Sequence, residues 1–452
     1  MSNYDENEIT DFYEEEDSEV FEDFPKNRRI IWQPKDYSIR EFFTMKGDSE
    51  LILQPEYQRE YVFDPKRSSR LIESILMDVP IPVIYLAEEE NGSYSVIDGQ
   101  QRLTTFISFL EGKFPDGKEF KLNGLKIFPE LNRKSFNELD KKDQHKIRTT
   151  TIHSIIIKKE SDPDIKFEIF ERLNTGSVKL NEDEIRNSVY RGPYIELLAE
   201  LSENKHFNEI INKPNYKKRM IYRGMILRYF ALTERSYLNY RPSMKKFCNS
   251  HLNDFKNLSE QKRQEFKDKF SKSVDLCYSV FGKNAFRRFK PGHSDQNPNG
   301  NWGASRINMA IFDIVMVCFN NYSKNTIMKY ADDIRESLID LMSNNEEFID
   351  AIETKTSDSE STKKRFVVWS QILENLISEQ KEKRTFSYKV KKDLFSVDST
   401  CKLCNQRIMI IDDAEVDHIL PFSKGGSTKL ENAQITHRFC NRNKYNKINN
   451  SL

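Results

Sequence analysis

The chain has 452 residues, of which 31% are charged, and its 71 Lys and Arg balance its 71 Asp and Glu. This length accommodates two or three domains. No run reaches the roughly eighteen apolar residues of a membrane-spanning helix. The acidic N-terminus excludes a signal peptide, and six scattered or paired cysteines do not form a disulfide framework. The composition therefore predicts a soluble, cytoplasmic protein.

The neutral total hides an uneven distribution of charge. Residues 1–24 contain eleven acidic residues and no basic one, so the rest of the chain carries a net charge of +11. We expect residues 1–25 to form a disordered acidic tail. The tail is either a solvated segment or a polyphosphate mimic that covers a basic groove. Residues 381–452 carry +6, which favours contact with a nucleic-acid backbone.

Short strands and helices alternate in the predicted first domain, residues 26–191. Apolar spacing predicts a helix over Ser68–Met77. A strand over Val83–Ala87 turns back at a glycine into a second strand over Tyr94–Ile97. The polar sequence D-G-Q-Q-R at residues 98–102 then opens a helix over Leu103–Leu110.

A glycine-bearing turn between a strand and a helix is suited to binding an anion. Backbone N–H groups and the helix dipole point at a phosphate, and Arg102 can add a bidentate clamp. Asp98 has an oxygen for Mg²⁺ or for orienting a water molecule. The same residues are also common in a simple turn, so both interpretations remain open. No G-x4-G-K-[ST] loop occurs, which excludes a Walker-type nucleotide site.

Three motifs in order resemble one known domain. Y-Q-R-x-Y-V-F begins at Tyr57, I-D-G-Q-Q-R-L-T-T at Ile97, and F-E-R-L-N-T-G-S-V-x-L at Phe170. Together they resemble the ParB-like DGQQR domain of GmrSD-type restriction systems. The resemblance implies binding and hydrolysis of nucleoside triphosphates, and defence against foreign, often modified, DNA. On that basis one nucleotide pocket is expected to contain Gln58, Arg59, Asp98, Gly99, Gln100, Gln101, Arg102 and Asn174. The segment from Asn174 to Gly176 also fits a plain stop to the preceding helix.

The middle of the chain, residues 192–382, is predicted to be a helical bundle. Apolar residues recur every three or four positions in Tyr194–Leu201, Arg219–Thr233, Leu258–Phe281, Ser305–Phe319, Ile327–Met342 and Ser361–Ser378. The stretch Phe289–Gly303 is too rich in Gly, Pro and Asn to be helical. Residues 383–397 form a predicted basic linker, which either hinges the C-terminal domain or follows a DNA strand through phosphate contacts.

The last segment, residues 398–452, contains four candidate ligands for a structural zinc. Cys401 and Cys404 form C-x2-C, and His437 and Cys440 form H-x2-C. A C-x2-C turn brings two thiolates to one ion, and residues three apart share a helix face. Two half-sites of matching spacing predict a tetrahedral zinc site.

A second set of residues within this zinc frame is suited to phosphodiester hydrolysis. Asp417 and Asn441 have oxygens for a hard cation such as Mg²⁺ or Mn²⁺, and His418 can accept a proton from water. Pro421 and the Gly425-Gly426 pair allow a hairpin that brings these residues to one cleft.

The sequence V-D-H-I-L-P at Val416, followed by Asn432 and by C-N-R-N-K at Cys440, resembles an HNH endonuclease of the ββα-metal type. The resemblance implies that His418 is the general base. It further implies that Asp417 and Asn441 bind the catalytic cation and that Asn432 orients the histidine loop. His437 stands where many zinc-bearing relatives have cysteine, and histidine ligates zinc equally well.

The sequence thus predicts an α+β multidomain protein with a ParB-like first domain, a mostly helical middle and a zinc-containing HNH domain. The predicted function is metal-dependent DNA cleavage in bacterial antiviral defence, with an N-terminal domain that binds nucleotide or senses modified DNA. Two alternatives remain: an unregulated nicking endonuclease or toxin on a DNA-binding scaffold, and a non-enzymatic zinc-containing adaptor. The several helical faces leave a homodimer open.

Overall fold

A computed structural model describes residues 30–53, 64–173, 180–303, 306–354, 356–378, 385–422 and 426–449. The described chain divides into two compact units, one up to Ile195 and one from Glu196 onward. The second unit groups the C-terminal zinc segment with the helical middle of the chain. The mixed α/β class predicted from sequence is confirmed, and each unit is described separately below.

A five-stranded mixed sheet organises the first unit. Its strands are β1 (Trp32–Ser38), β2 (Leu51–Ile52), β3 (Ile84–Glu88), β4 (Tyr94–Asp98) and β5 (Thr151–Ile157). They lie in the order β1-β5-β3-β4-β2. The predicted hairpin is confirmed as the antiparallel pair β3–β4, and β3 runs parallel to β5.

Helices pack against this sheet with their apolar faces inward. Their bounds are α1 Ile39–Gly47, α2 Pro65–Leu76, α3 Gln100–Glu111, α4 Lys141–Thr149, α5 Pro163–Leu173 and α6 Glu182–Val189. The helix predicted over Ser68–Met77 is α2, which begins earlier because Asp64 caps it and Pro65 occupies its first turn. Ile72, Phe106 and Ile152 are among the buried residues of one continuous core. Strand β4 and helix α3, which flank the DGQQR segment, both contribute residues to this core.

Helices form most of the second unit. They are α7 Pro193–Leu201 (which spans the division between units), α8 Lys205–Ile211, α9 Pro214–Lys218, α10 Ile221–Glu234, α11 Met244–Asp254, α12 Glu260–Phe281, α13 Met309–Phe319, α14 Lys324–Lys329, α15 Ala331–Asn344, α16 Glu346–Glu353 and α17 Ser359–Ser378. The predicted helix Ile327–Met342 is wrong as one element, because the chain breaks at Tyr330 between α14 and α15. Apolar periodicity continues through such a break, so the pattern alone does not reveal it.

The stretch Phe289–Gly303 is non-helical, as predicted, and forms a short hairpin. Its strands β6 (Phe289–Lys290) and β7 (Asn301–Trp302) pair antiparallel. The rings of Phe289 and Trp302 meet edge to face with centroids 5.2 Å apart. Gly292 is required where the hairpin loop closes, because an added Cβ would lie 1.7 Å from the Pro298 carbonyl oxygen. The hairpin is therefore a defined element, which we call the β6–β7 arm (residues 289–303).

The C-terminal segment has a ββα order. Helix α18 (Tyr388–Val397) precedes the antiparallel strands β8 (Ala414–His418) and β9 (Ala433–His437), and helix α19 (Arg438–Asn449) follows directly. The residues predicted as a basic linker therefore include a helix. Its Lys391 is buried and donates to Glu336 of α15 over 2.8 Å. The basic composition of residues 383–397 did not indicate that Lys391 would be buried.

Glu336 joins the C-terminal segment to the helices. Its carboxylate forms ion pairs with Lys391 of α18 and with Arg438 in the first turn of α19. Burial alone would raise the pKa of Glu336, but the two cations hold that pKa below its ordinary value. Arg335 on the same helix contacts Asp412 over 2.6 Å. Because these pairs are largely buried, they fix the segment on α15 rather than leave it hinged.

None of the helices in the described ranges combines the length and the apolar character needed to cross a membrane.

We predict that Asp313→Asn strongly destabilises the second unit. Asp313 is fully buried, accepts two bonds from Arg228 at 2.8 Å and one from Arg365 at 3.0 Å. The substitution leaves buried guanidinium charge without its counter-ion, which costs about 3–5 kcal/mol in comparable buried pairs. Urea unfolding followed by tryptophan fluorescence measures the loss. Asp350→Asn, at an exposed position on α16, is the control, and equal midpoints for the two variants would contradict the prediction.

Candidate metal centre and nuclease site

Four predicted zinc ligands converge in the structure. The ligand atoms of Cys401, Cys404, His437 and Cys440 all lie within 4.8 Å of one another. His437 Nδ1 is 3.4 Å from Cys404 Sγ and 3.8 Å from Cys440 Sγ. With metal–ligand bonds of about 2.0–2.3 Å, a tetrahedral zinc site separates its ligand atoms by roughly 3.4–3.8 Å. The donor set and its spacing therefore fit a zinc ion.

The local backbone prepares Cys401 for metal binding. Burial raises the pKa of a thiol, but hydrogen bonds from His437 and from nearby backbone N–H groups lower the pKa of Cys401 to about 6. The His437 N–H donates to Cys401 Sγ over 3.3 Å. The thiolate is the form that binds zinc, and because burial raises the pKa of Cys404 and of Cys440, Cys401 is the thiol of the cluster that most readily takes this form.

The side chains of Asp417 and Asn441 each have one polar atom that is hydrogen-bonded and one oxygen that, among the described residues, is not. Asp417 Oδ2 accepts from Gln434 Nε2 and from Lys444 Nζ, both at 2.8 Å. Asn441 Nδ2 donates to Glu415 Oε2 at 2.9 Å. Within the described part of the chain, the buried Oδ1 atoms of Asp417 and Asn441 have no hydrogen-bond partner.

Each of these two oxygens is of the type that binds a hard divalent cation. A buried oxygen without a partner is costly, and carboxylate and amide oxygens are ligands that Mg²⁺ and Mn²⁺ prefer. Glu415 and Asp417 are two residues apart on β8 and share a face of that strand. Since Glu415 holds Asn441, this contact brings Asn441 toward the face that carries Asp417.

His418 ends strand β8 in a partly enclosed, aromatic environment. Its Nε2 lies 3.2 Å from Thr428 Oγ1, and its ring centroid is 4.5 Å from Phe386 and 5.9 Å from Phe422. Burial lowers the pKa of His418, Lys444 acts in the same direction, and Asp417 opposes the shift. A neutral imidazole is the form that can accept a proton from water.

Asn432 fastens the loop that follows His418. Its Oδ1 accepts the Leu420 N–H at 2.8 Å, and its Nδ2 donates to the carbonyls of Leu420 and Ser427. Gly426 passes so close to this loop that an added Cβ would lie 1.8 Å from the Leu420 carbonyl oxygen. These contacts are of the kind that a loop-orienting asparagine makes.

Four polar residues of the site escaped the sequence reasoning. Gln434 lies opposite Asp417 in the β8–β9 register, so the hairpin register would have indicated it. Lys444 follows Asn441 by three positions on α19, a spacing that shares a helix face. Glu415 and Thr428 contact Asn441 and His418, and the sequence contains no signal that singles them out.

The DGQQR segment lies at the predicted junction of strand and helix. Gly99 has φ 94° and precedes α3, and an added Cβ would lie 2.8 Å from Ile84 Cγ1. Only glycine combines this conformation with this close approach. The N-cap position of α3 is Gly99 itself, which makes no side-chain capping hydrogen bond.

Arg102 is engaged within the protein. Its Nη2 donates to Asp98 Oδ2 at 2.5 Å, and its Nη1 donates to the carbonyls of Pro82 and Val83. Gln58, Arg59 and Asn174 lie outside the described residues. A cleft of about 680 Å³ in this unit is lined by residues of β1, α1 and the turn before β4. None of the described nucleotide-pocket residues lines that cleft.

Comparison with known protein families matches two parts of the chain. Residues 39–191 match the N-terminal domain of the GmrSD restriction endonuclease, and residues 401–447 match the HNH endonuclease. No curated protein and no solved structure matches the chain.

Both matches support a nuclease, and its Cys/His cluster is of the kind that binds zinc. The chain joins an N-terminal GmrSD domain to a C-terminal HNH endonuclease domain, which confirms the resemblance read from the sequence. These domains support a nuclease of a restriction-type defence system with DNA as its substrate.

We predict that Cys404→Ser releases the zinc from the purified full-length protein. A hydroxyl replaces one of the thiolates, and the remaining three ligands hold the ion less tightly. Elemental analysis should give about one zinc per wild-type chain and much less for the variant. Cys318→Ser is the matched control, because Cys318 is buried in α13 and contacts Ser370 rather than the cluster. Equal zinc content in all three proteins would contradict the assignment.

Proposed function

We propose that the protein is a metal-dependent DNA endonuclease of a bacterial antiviral restriction system, whose HNH domain cuts under the control of the N-terminal domain. The observation that carries the nuclease part is that Asp417, which precedes His418 on β8, and Asn441 each have a buried oxygen without a hydrogen-bond partner among the described residues. Orphaned oxygens of this kind are expected where a cation completes the site.

The side chains divide the work of hydrolysis. His418 takes a proton from the attacking water as the new oxygen–phosphorus bond forms and the bond to the leaving sugar oxygen breaks. Asn432 holds the loop after His418, and Thr428 fixes the imidazole ring. Asp417 and Asn441 would hold a divalent cation, Mg²⁺ or Mn²⁺, which when bound neutralises charge on the phosphate and on the leaving oxygen.

Lys444 and Gln434 keep Asp417 in position. Both donate to Oδ2 of Asp417, which leaves Oδ1 available to bind the cation. Lys444 also keeps the Asp417 charge compensated before a cation binds. One HNH site cuts one strand, so we expect nicked plasmid to precede linear plasmid.

The proposed control acts through nucleotide bound at the DGQQR segment. Support comes from the position of Gly99, whose φ is positive and which stands without a side chain at the N-cap of α3, a geometry suited to a phosphate. The Asp98–Arg102 pair sits at the same turn. The phosphates of a bound nucleoside triphosphate would compete for Arg102, and its Mg²⁺ would compete for Asp98. Nucleotide binding would therefore change the position of the turn.

We predict that His418→Ala lowers the rate of plasmid nicking at least about 100-fold, since general-base catalysis contributes 10²–10⁴-fold. DNA binding, measured by fluorescence anisotropy, should stay unchanged. His145→Ala, at an exposed position on α4, serves as the control and should cut at the wild-type rate. Cutting by His418→Ala at the wild-type rate would point to a contaminant and to the non-enzymatic adaptor.

We predict that Arg102→Ala abolishes the response of cutting to nucleoside triphosphates. Wild type and the exposed-site control Arg70→Ala should bind a fluorescent triphosphate and change their nicking rate, whereas Arg102→Ala should do neither. Thermal unfolding of Arg102→Ala checks that loss of the bonds to Asp98 and Pro82 has not unfolded the domain. Nicking that is identical with and without every nucleotide in wild type would favour the unregulated nicking enzyme.

A further inference from the structure

Both ring nitrogens of His437 lie close to a polar atom of another side chain. The side chain is fully buried. Its Nδ1 faces the cysteine cluster, 3.4 Å from Cys404 Sγ, and its Nε2 lies 3.1 Å from Asn299 Oδ1. Asn299 belongs to the β6–β7 arm and precedes His437 by 138 residues in the chain. The ring therefore spans the gap between the cysteine cluster and the helical part of the second unit.

The partner on Nε2 determines which nitrogen can bind zinc. A neutral imidazole carries one N–H, and an amide oxygen only accepts. With Oδ1 of Asn299 facing Nε2, the proton sits on Nε2 and the lone pair of Nδ1 points at the cluster. The opposite amide orientation would place the proton on Nδ1, where it would block the metal. The geometry thus selects the tautomer that ligates zinc.

The arm is held firmly enough to keep Asn299 in place. The Gly300 N–H donates to Asp413 Oδ2 at 2.7 Å, and Trp302 Nε1 donates to Asp412 Oδ2 at 2.8 Å. An added Cβ on Gly300 would lie 2.7 Å from both Asp413 Oδ1 and the Lys290 carbonyl oxygen. Burial raises the pKa of Asp413 to about 6. The residue next to Asn299 is thus packed directly against the start of β8.

We propose that Asn299 is a positioning residue of the zinc site, and that the β6–β7 arm completes the metal centre of the nuclease from outside the HNH segment. Outer partners of zinc-binding histidines fix the ring and raise its basicity, and their loss typically weakens metal binding about 10–100-fold. The zinc centre then depends on residues of the helical region as well as on its four ligands. This inference rests on the zinc assignment and not on the proposed cutting.

Zinc release from the full-length protein tests the proposal. A chromogenic chelator in excess reports the rate at which the ion leaves wild type, Asn299→Ala, Asn299→Asp and Asn297→Ala. Asn297 is an exposed residue of the same arm and provides the matched control. We expect release about ten-fold or more faster from Asn299→Ala. Asn297→Ala should match wild type, and Asn299→Asp should stay close to wild type because its carboxylate still accepts from Nε2.

Three results would overturn the proposal. Release from Asn299→Ala at the rate of Asn297→Ala would mean that the contact does not support the site. Release from Asn299→Asp as fast as from Asn299→Ala would mean that Asn299 acts through the shape of the arm and not as an acceptor. Wild type without zinc would remove the site itself. Plasmid nicking, measured separately, decides the proposed function whatever the zinc result.

Discussion

The turn from β9 into α19 constrains both metal sites at once. His437 and Cys440 belong to the Cys/His cluster, while Asn441 and Lys444 belong to the proposed nuclease site, all within eight residues. Arg438 fixes this turn, because its buried guanidinium bonds to the Asp412 carbonyl and to Glu336 of α15. A shift of α19 would therefore displace zinc ligands and cation ligands together. The zinc cluster is best understood as the support that sets the position of Asn441.

The same constraint explains why the HNH segment and the helical region form one unit. Lys391, Arg438 and Arg335 all pair with carboxylates across the junction between them. Removing one partner of such a buried pair leaves an uncompensated charge. Together with the β6–β7 arm, these pairs make the nuclease a fixed part of the second unit. The described part of the predicted linker, residues 385–397, is therefore anchored to the helical region through Lys391.

The candidate metal ligands and catalytic residues of the second unit could be predicted from the sequence, whereas the residues that position them could not. Cys401, Cys404, His437, Cys440, Asp417 and His418 could be identified because metal ligands and catalytic groups occur in short motifs at fixed spacing. The prediction of their roles still awaits experiment. Asn299 and Glu336 could not be found, because Asn299 lies 138 residues from His437, and Glu336 lies 55 residues from Lys391 and 102 from Arg438. Long-range pairs of this kind leave no local pattern in one sequence.

The fold of the first unit was predictable to a similar extent. The hairpin β3–β4 and the start of α3 at D-G-Q-Q-R follow from alternation, glycine placement and a polar turn. Strand β5 joins β1 to β3 in the sheet, an order that alternation within one segment cannot give. The engagement of Arg102 with Asp98 and the Pro82 carbonyl was also beyond the sequence, since it depends on the turn before β3.

We propose that cutting depends on a divalent cation held by Asp417 and Asn441. The decisive measurement is the initial rate of plasmid nicking against Mg²⁺ or Mn²⁺ concentration, for metal-stripped protein with its zinc restored. Wild type should show no cutting without the added cation and a saturating rise with it, and Asn441→Ala should need a markedly higher concentration. Cutting that is independent of added cation, or an identical concentration dependence in Asn441→Ala, would contradict the claim.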